Sequence, residues 1–125
     1  MVHEIEIFKY KLILLIAKME EQSAFTGYFG DYPLIRVLDF LILGRDMDYS
    51  MTEIAKNSEV GWTAFSDIWP KLVEKNIVVF TRKIGNAQLY RLNLKNLWVK
   101  ELIKMDQIIT KMETEKMLSQ EKLVG

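Results

Sequence analysis

The sequence contains no cysteine and one histidine, and these two scarcities remove whole classes of chemistry. Without cysteine, a chain has no disulfides, thiolate zinc sites, iron–sulfur clusters or thiol nucleophiles, which is typical of proteins in a reducing compartment. The single histidine, His3, lies near a terminus, which argues against a Ser-His-Asp triad or a multi-histidine metal site. No phosphate-binding loop or nucleophile–base pair is present either. We therefore expect no catalytic activity, no metal and no cofactor.

Long hydrophobic runs are also missing. The longest apolar run, residues 12–17, has six residues, whereas a transmembrane helix needs about 20. Lysines precede this run as in a signal peptide, but charged residues follow it where a small-residue cleavage site would be expected. We expect a cytoplasmic protein that does not associate with a membrane.

Neither sign of charge is in excess, because 17 basic residues balance 17 acidic ones. This balance excludes a strongly basic tail and a generally acidic surface. Basic residues nevertheless concentrate in residues 71–95, where only Glu74 is acidic. The basic residues of this stretch are Lys71, Lys75, Arg82, Lys83, Arg91 and Lys95. They form either an ordinary solvated surface or an electrostatic footprint for phosphate, depending on what the stretch folds into.

The first part of the chain reads as two helices separated by a connector. Apolar residues spaced by three and four predict an amphipathic helix over residues 5–19. Glycines, Asp31 and a proline in residues 23–33 indicate a connector, with Asp31 available as a helix cap. A second helix is predicted over residues 33–43, ending at Gly44. Its expected inward face is Leu34, Val37, Leu38 and Leu41.

The middle of the chain reads as a helix-turn-helix followed by a β-hairpin. Ser50 and Glu53 form a capping box that opens a short helix ending near Ser58. A longer helix follows over residues 62–75, kinked at Pro70 or continuing across it, with Asn76 as a left-handed cap. Its expected inward face is Phe65, Ile68, Trp69 and Leu72. Residues 77–83 and 88–92 alternate as strands around a turn at 84–87.

A last helix is predicted over residues 94–123. The order of elements therefore predicts a mainly α fold with a small β-hairpin wing, a winged helix-turn-helix with N- and C-terminal helical extensions. For a chain of 125 residues this means a single small domain with helical additions.

Several segments carry a resemblance to a known family. Residues 32–41 (YPLIRVLDFL), 48–50 (DYS), 53–55 (EIA), 68–72 (IWPKL) and 81–90 (TRKIGNAQLY) follow, in order, the pattern of archaeal winged helix-turn-helix transcriptional regulators. The similarity covers about residues 31–106. It implies a small DNA-binding regulator, usually a homodimer, with an architecture like that of the MarR and ArsR classes. The corresponding division is an N-terminal helix and connector (1–30), a DNA-binding domain (31–93) and a C-terminal dimerisation helix (94–125).

In such a module the second helix of the pair enters the major groove, and the wing contacts the backbone or the minor groove. We therefore expect recognition from about Trp62 onwards and wing contacts from residues 81–89. The candidate DNA-binding residues are Trp62, Thr63, Ser66, Lys71, Arg82, Lys83, Asn86 and Gln88. The partner would be double-stranded DNA, approached mainly through phosphate contacts.

Some of these residues have a second interpretation. Many relatives carry an arginine early in the recognition helix, whereas this chain has Trp62, and Asp67 also lies on the expected groove side. Trp62 can instead anchor a core or a protein contact, the Arg82–Lys83 pair can protect a sheet edge, and Asn86 commonly forms turns. The alternative function is a winged-helix protein–protein interaction module with weak or no DNA binding.

The terminal helices carry apolar stripes that need a partner surface. The candidate dimerisation residues are Ile5, Phe8, Leu12 and Leu15 at one end and Trp98, Leu102, Met105, Ile109 and Met112 at the other. These stripes pair either within one chain or across a two-fold axis in a homodimer. A small-molecule effector is neither indicated nor excluded by the sequence.

Overall fold

The computed structural model describes residues 5–12 and 23–124. Residues 5–12 are helical (α1), while Leu15 and the rest of the predicted first stripe lie outside the described residues. The other helices are α2 (Ala24–Phe29), α3 (Pro33–Leu43), α4 (Met51–Asn57), α5 (Trp62–Glu74) and α6 (Leu97–Val124). The strands are β1 (Tyr49–Ser50), β2 (Val78–Ile84) and β3 (Ala87–Leu92).

Helix α2 forms where a connector was predicted, so that prediction is wrong. Ser23 caps it, because its Oγ accepts a hydrogen bond from the backbone N–H of Thr26 at 3.2 Å. The same Oγ donates to the carboxylate of Asp39 on α3 at 2.8 Å. Phe25 is buried, and α2 packs against both α3 and α6. Tertiary packing thus outweighs the low helix propensity of Gly27, which lies in the middle of α2.

Helix α3 has the predicted bounds but a different start and inner face. Pro33 occupies the first turn and Tyr32 the N-cap, without a capping side-chain bond. Asp31 does not cap the helix, since its carboxylate accepts instead from the guanidinium of Arg36, with Nε at 2.6 Å. Leu34 is exposed, contrary to expectation. The buried residues of α3 are Val37, Leu38, Leu41 and Ile42.

Local capping signals place α4 and α5 as predicted. The Oγ of Ser50 accepts from the N–H of Glu53 at 3.2 Å and donates to the Glu53 carboxylate at the same distance. Helix α5 continues across Pro70, because the exposed helix surface there leaves room for the ring. Asn76 takes the predicted left-handed conformation, with φ 58. Of the predicted inner face of α5, Phe65, Trp69 and Leu72 are buried and Ile68 is half-buried.

The predicted hairpin is confirmed and gains a third strand. The antiparallel sheet has the order β1-β3-β2, with Tyr49 opposite Tyr90 and Ser50 opposite Leu89. Strand β1 has only two residues, too few for a period-two pattern to be visible in the sequence. Between β2 and β3 the register shifts around Thr81, which is an extra residue on its strand.

One core joins α3, α4, α5, the base of the sheet and the first turns of α6. Its largest fully buried side chains are Phe25, Phe65, Leu41, Ile42, Ile54, Leu92, Val37 and Val99. Along the described stretches 5–12 and 23–124, no helix is both long enough and apolar enough to cross a membrane.

Two aspartates are partly enclosed where α3 meets α6. Burial raises the pKa of Asp39, and the hydrogen bond from Ser23 opposes this shift. Burial also raises the pKa of Asp106 on α6, the negative charge of Asp39 raises it further, and Arg45 lowers it. The folded state therefore favours the neutral form of both carboxyl groups.

Replacing Asp106 by Asn should raise the melting temperature at neutral pH. A carboxyl group whose pKa is raised by folding stabilises the fold fully only below its unfolded value, 3.8, and loses this contribution as the pH rises through its folded pKa. The neutral amide keeps it. Thermal unfolding followed by circular dichroism should show a gain at pH 7 that shrinks towards pH 4. An equal gain at both pH values would contradict this explanation.

The Ser50→Ala substitution should lower the free energy of unfolding by about 1 kcal/mol, because α4 loses its side-chain cap. Urea denaturation measures the change. Ser119→Ala is the matched control, since Ser119 is exposed within α6 and its substitution should cost nothing. Equal effects of the two substitutions would show that the Ser50 cap does not stabilise the protein.

Candidate nucleic-acid interface

Helix α5 presents one polar face to solvent. Its buried residues Phe65, Trp69 and Leu72 turn the opposite side outwards. The predicted helix contacts Trp62, Thr63, Ser66 and Lys71 are all exposed on that outward side, together with Asp67. The side chain of Trp62 is 55% exposed even though it is large and apolar.

Stacked aromatic rings connect this helix to the wing. Trp62 stacks on Phe65 with ring centroids 5.5 Å apart, and Phe65 stacks on Trp69 at 5.3 Å. Trp69 meets the ring of Tyr90 on β3 edge-on at 5.1 Å. Tyr90 in turn contacts Phe80 on β2 at 5.8 Å. Since aromatic pairs have preferred geometries, this chain of rings fixes α5 relative to the hairpin.

The turn before α5 is held by an ion pair that the sequence did not reveal. The guanidinium of Arg36 is bonded to both carboxylate oxygens of Asp31, at 2.6 and 3.0 Å. Its remaining amino group donates to the backbone carbonyl of Glu59 at 3.1 Å. Glu59 has a left-handed backbone, with φ 57. Arg36 thus ties the sharp turn between α4 and α5 to α3, and it supports the start of the exposed helix.

The wing carries the other predicted contacts. Arg82, Lys83, Asn86 and Gln88 are all exposed along β2, the turn and β3. Gly85 begins the turn with φ 59, a conformation that glycine adopts without strain. The exposed Phe80 and Ile84 make the wing partly apolar.

Arg82 is already paired within the chain. Its Nε lies 2.9 Å and its Nη2 lies 3.1 Å from the two carboxylate oxygens of Asp48. The hydroxyl of Thr81 donates to the same carboxylate at 2.7 Å. The bond from Arg82, followed by the bond from Thr81, lowers the pKa of Asp48 to about 2. Sequence reasoning missed this pairing, because 34 positions separate the two residues.

Two further candidates are partly committed to neighbours. The hydroxyl of Ser66 donates to the carbonyl of Trp62, one helical turn back, at 2.7 Å. The Oε1 of Gln88 accepts from the hydroxyl of Tyr90 at 3.0 Å. Within the part of the chain that the structure describes, Thr63, Lys71, Lys83 and Asn86 make no side-chain hydrogen bond or ion pair. These four side chains remain available to a partner.

The basic stretch of residues 71–95 does not form one patch. Arg91 donates to the carbonyl of Arg45 at 3.0 Å, and Arg82 is held by Asp48. Lys75 and Lys95 flank the base of the hairpin, at the end opposite the Gly85 turn. Lys71 and Lys83 are therefore the two cations of the stretch that lie on α5 and the wing without an internal partner among the described residues.

The predicted stripe on α6 is divided between two surroundings. Ile109 is buried and Leu102 packs on the core, so these residues serve the chain's own interior. Trp98, Met105 and Met112 are exposed, as is Ile108, which was not predicted. On α1, Ile5, Phe8 and Leu12 are exposed. The Lys11 ammonium lies 3.1 Å from the Glu121 carboxylate, which places α1 beside the far end of α6.

No protein-family model matches the sequence, and the comparison with curated proteins finds no match. Among solved structures, NadR in complex with 4-hydroxyphenylacetate aligns over 98% of this chain and 83% of its own, with a TM-score of 0.53 and 12% identity. Reduced HlyU from Vibrio cholerae aligns over 82% of this chain and 90% of its own, with a TM-score of 0.44 and 20% identity.

This chain has the winged-helix fold. The helix-turn-helix is α4 and α5, and the wing is the β2–β3 hairpin, as the alignment with NadR supports over nearly the whole chain. The predicted fold class is therefore confirmed. No group of three or more metal-ligating side chains occurs among residues 5–12 and 23–124 of this winged-helix chain.

The Gly85→Ala substitution should destabilise the wing, because an L-residue in the left-handed region costs about 1 kcal/mol. Gly27→Ala is the matched control, since Gly27 lies within α2 with open space around its Cα. That substitution should raise stability by about 0.5 kcal/mol, because alanine favours helices. Urea denaturation of both variants tests the wing turn, and a stabilised Gly85→Ala variant would contradict it.

Proposed function

We propose that the protein is a DNA-binding transcriptional regulator that acts as a homodimer. In this proposal α5 enters the major groove from Trp62 onwards, and residues 81–89 of the wing contact the backbone or the minor groove. The observation that carries it is the exposed polar face of α5, which buried aromatic contacts hold at a set angle to the wing. A helix and a wing in this relation match the two elements with which winged-helix proteins grip a duplex.

The available side chains suggest a division of labour at this interface. Thr63 lies near the N-terminus of α5, where side chains reach base edges, and its hydroxyl can donate or accept. Trp62 presents apolar surface that suits a thymine methyl group. Lys71 and Lys83 would neutralise phosphates, which set affinity but carry no sequence information. Ser66, Asn86 and Gln88 would add polar contacts beside them.

The proposed dimer rests on the apolar surface of the terminal helices. Trp98 on α6 is 50% exposed, and Met105, Ile108 and Met112 are exposed on the same helix. Ile5, Phe8 and Leu12 add apolar surface from α1. An exposed apolar stripe of this length is typical of a protein interface. A two-fold dimer would read two half-sites about 34–36 Å apart, or a multiple of this distance.

A second candidate function is a protein-interaction module with weak or no DNA binding. The exposed Trp62 on α5 and the exposed Phe80 and Ile84 on the wing favour it. Exposed aromatic residues are enriched at the centres of protein–protein interfaces. The salt dependence of DNA binding separates this candidate from the regulator.

Binding to a mixed-sequence DNA duplex should weaken steeply with salt, and the Lys83→Glu variant should bind about tenfold more weakly than the wild type. Both effects follow from the release of counterions by phosphate contacts. Fluorescence anisotropy at about 50 and 200 mM salt measures them, with light scattering to give the mass of the species. Lys111→Glu is the matched control, because it makes the same charge change on an exposed part of α6.

Two results would contradict the regulator. One is the absence of binding at low salt by a folded dimer, and the other is an affinity that does not depend on salt. Either result would favour the interaction module.

A further inference from the structure

A β-bulge aims Arg82 at the start of the helix-turn-helix. Opposite Tyr90 and Leu89 on β3, the partners on β2 are Phe80 and Arg82, so Thr81 is the extra residue. A bulge bends its strand and redirects the side chains around it. Here both Thr81 and Arg82 bond to Asp48, which directly precedes β1.

The resulting ion pair is well formed and placed at the surface. The carboxylate of Asp48 accepts hydrogen bonds from Arg82 Nε, Arg82 Nη2 and Thr81 Oγ1, at 2.9, 3.1 and 2.7 Å. The side chain of Asp48 is 17% exposed and that of Arg82 is 61% exposed. Paired, planar contacts of this kind have well-defined geometry and are stronger than single ones. Arg82 thus lies on the outer surface of the wing with its charge balanced by a carboxylate beneath it.

We propose that Asp48 is an autoinhibitory residue that withholds the Arg82 guanidinium from DNA and so limits the affinity of the wing. The proposal rests on the proposed function, since it concerns the same DNA interface. A guanidinium engaged at both nitrogens with a carboxylate has to leave it to bind a phosphate with that face. If Arg82 leaves, the exposed Asp48 carboxylate repels the phosphates, so either state costs the complex one favourable charge.

Neighbouring charges reinforce this balance. The surface pocket beside the pair is lined by Asp46, Asp48, Arg82 and Arg91 together with Met47 and Thr81. Two acidic and two basic side chains therefore face the same pocket, and Arg91 is anchored to the Arg45 carbonyl. The wing base thus has no net positive charge, in contrast to the purely basic reading of residues 81–83. Because Asp48 stays ionised at ordinary pH, a change of pH does not release Arg82.

The Asp48→Asn variant keeps the shape of the side chain but removes its charge. In this variant Arg82 is released to phosphate, and DNA binding should tighten roughly eightfold per wing at about 0.1 M salt, the value of one added phosphate contact. The slope of log affinity against log salt should steepen by about 0.9 per wing. Fluorescence anisotropy over a salt series measures both quantities.

The charge-neutral double variant Asp48→Asn, Arg82→Gln identifies the partner of Arg82 in the complex. If Asp48 withholds Arg82, removing both charges leaves the wild-type affinity unchanged within twofold. Weaker binding by the double variant would mean that Arg82 already contacts DNA in the wild type, which would overturn the proposal. Glu101→Gln is the control for net charge, because Glu101 forms a similar surface pair with Lys104 on α6, and its affinity should stay near that of the wild type.

The outcomes separate this proposal from the proposed function. Binding by the wild type without tightening in Asp48→Asn overturns the autoinhibition and leaves the regulator intact. The absence of salt-dependent binding by every variant overturns both. Circular dichroism and thermal unfolding establish that each variant is folded. If Asp48→Asn is not folded, Asp48→Ser, which is also neutral and small, replaces it in the same comparison.

Discussion

The burial of one side of α5 is the constraint on which the remainder of the structure depends. Phe65, Trp69 and Leu72 are packed into the core, so the opposite face of the helix has to lie in solvent. The edge-on contact between Trp69 and Tyr90 then sets where the hairpin stands relative to that face. The presumed reading surface is therefore shaped from behind by apolar packing, while its own residues are free to vary. Because packed aromatic rings tolerate little displacement, the helix and wing behave as one rigid unit.

Ion pairs hold the two irregular ends of this unit. Arg36 bonds to Asp31 and to the Glu59 carbonyl, and so it fixes the turn that starts α5. Asp48 bonds to Arg82 and Thr81, and so it fixes the base of the wing. Each exposed pair contributes little to stability in water, but each settles the position of a loop that apolar packing does not reach. The second pair also carries the electrostatic consequence, since it cancels a charge that the wing would otherwise present.

Helix α6 has two tasks, and its sequence shows both. One part of its apolar surface, with Val99, Leu102 and Ile109, packs within the chain, while Trp98, Met105 and Met112 stay exposed beside it. Residues spaced by three and four share one side of a helix, but that side is wide enough to meet two partners. The heptad-like spacing thus identifies an apolar stripe without telling which part of it faces the chain's own core. The partly enclosed Asp106 lies where α6 meets α3, so this inner contact also responds to charge.

The sequence alone determined the features that depend on neighbours along the chain. These include the capping of α4 by Ser50, the left-handed Asn76, the Gly85 turn, the alternation of the hairpin and the periodicity of α3 and α5. Together they were sufficient for the order of elements and the winged-helix class. The interactions that only the tertiary structure decided join residues far apart in the sequence, and no local pattern encodes them. They are the folding of residues 24–29 into α2 against α3 and α6, the strand β1 beside β3, and the pairing of Asp48 with Arg82. The exposed candidates for DNA contact could be listed from the helix period, but whether each is available depends on its partners in space. Arg82 illustrates the difference: its charge is written in the sequence, and the neutralisation of that charge arises only because the bulge and the third strand bring Asp48 within hydrogen-bonding distance.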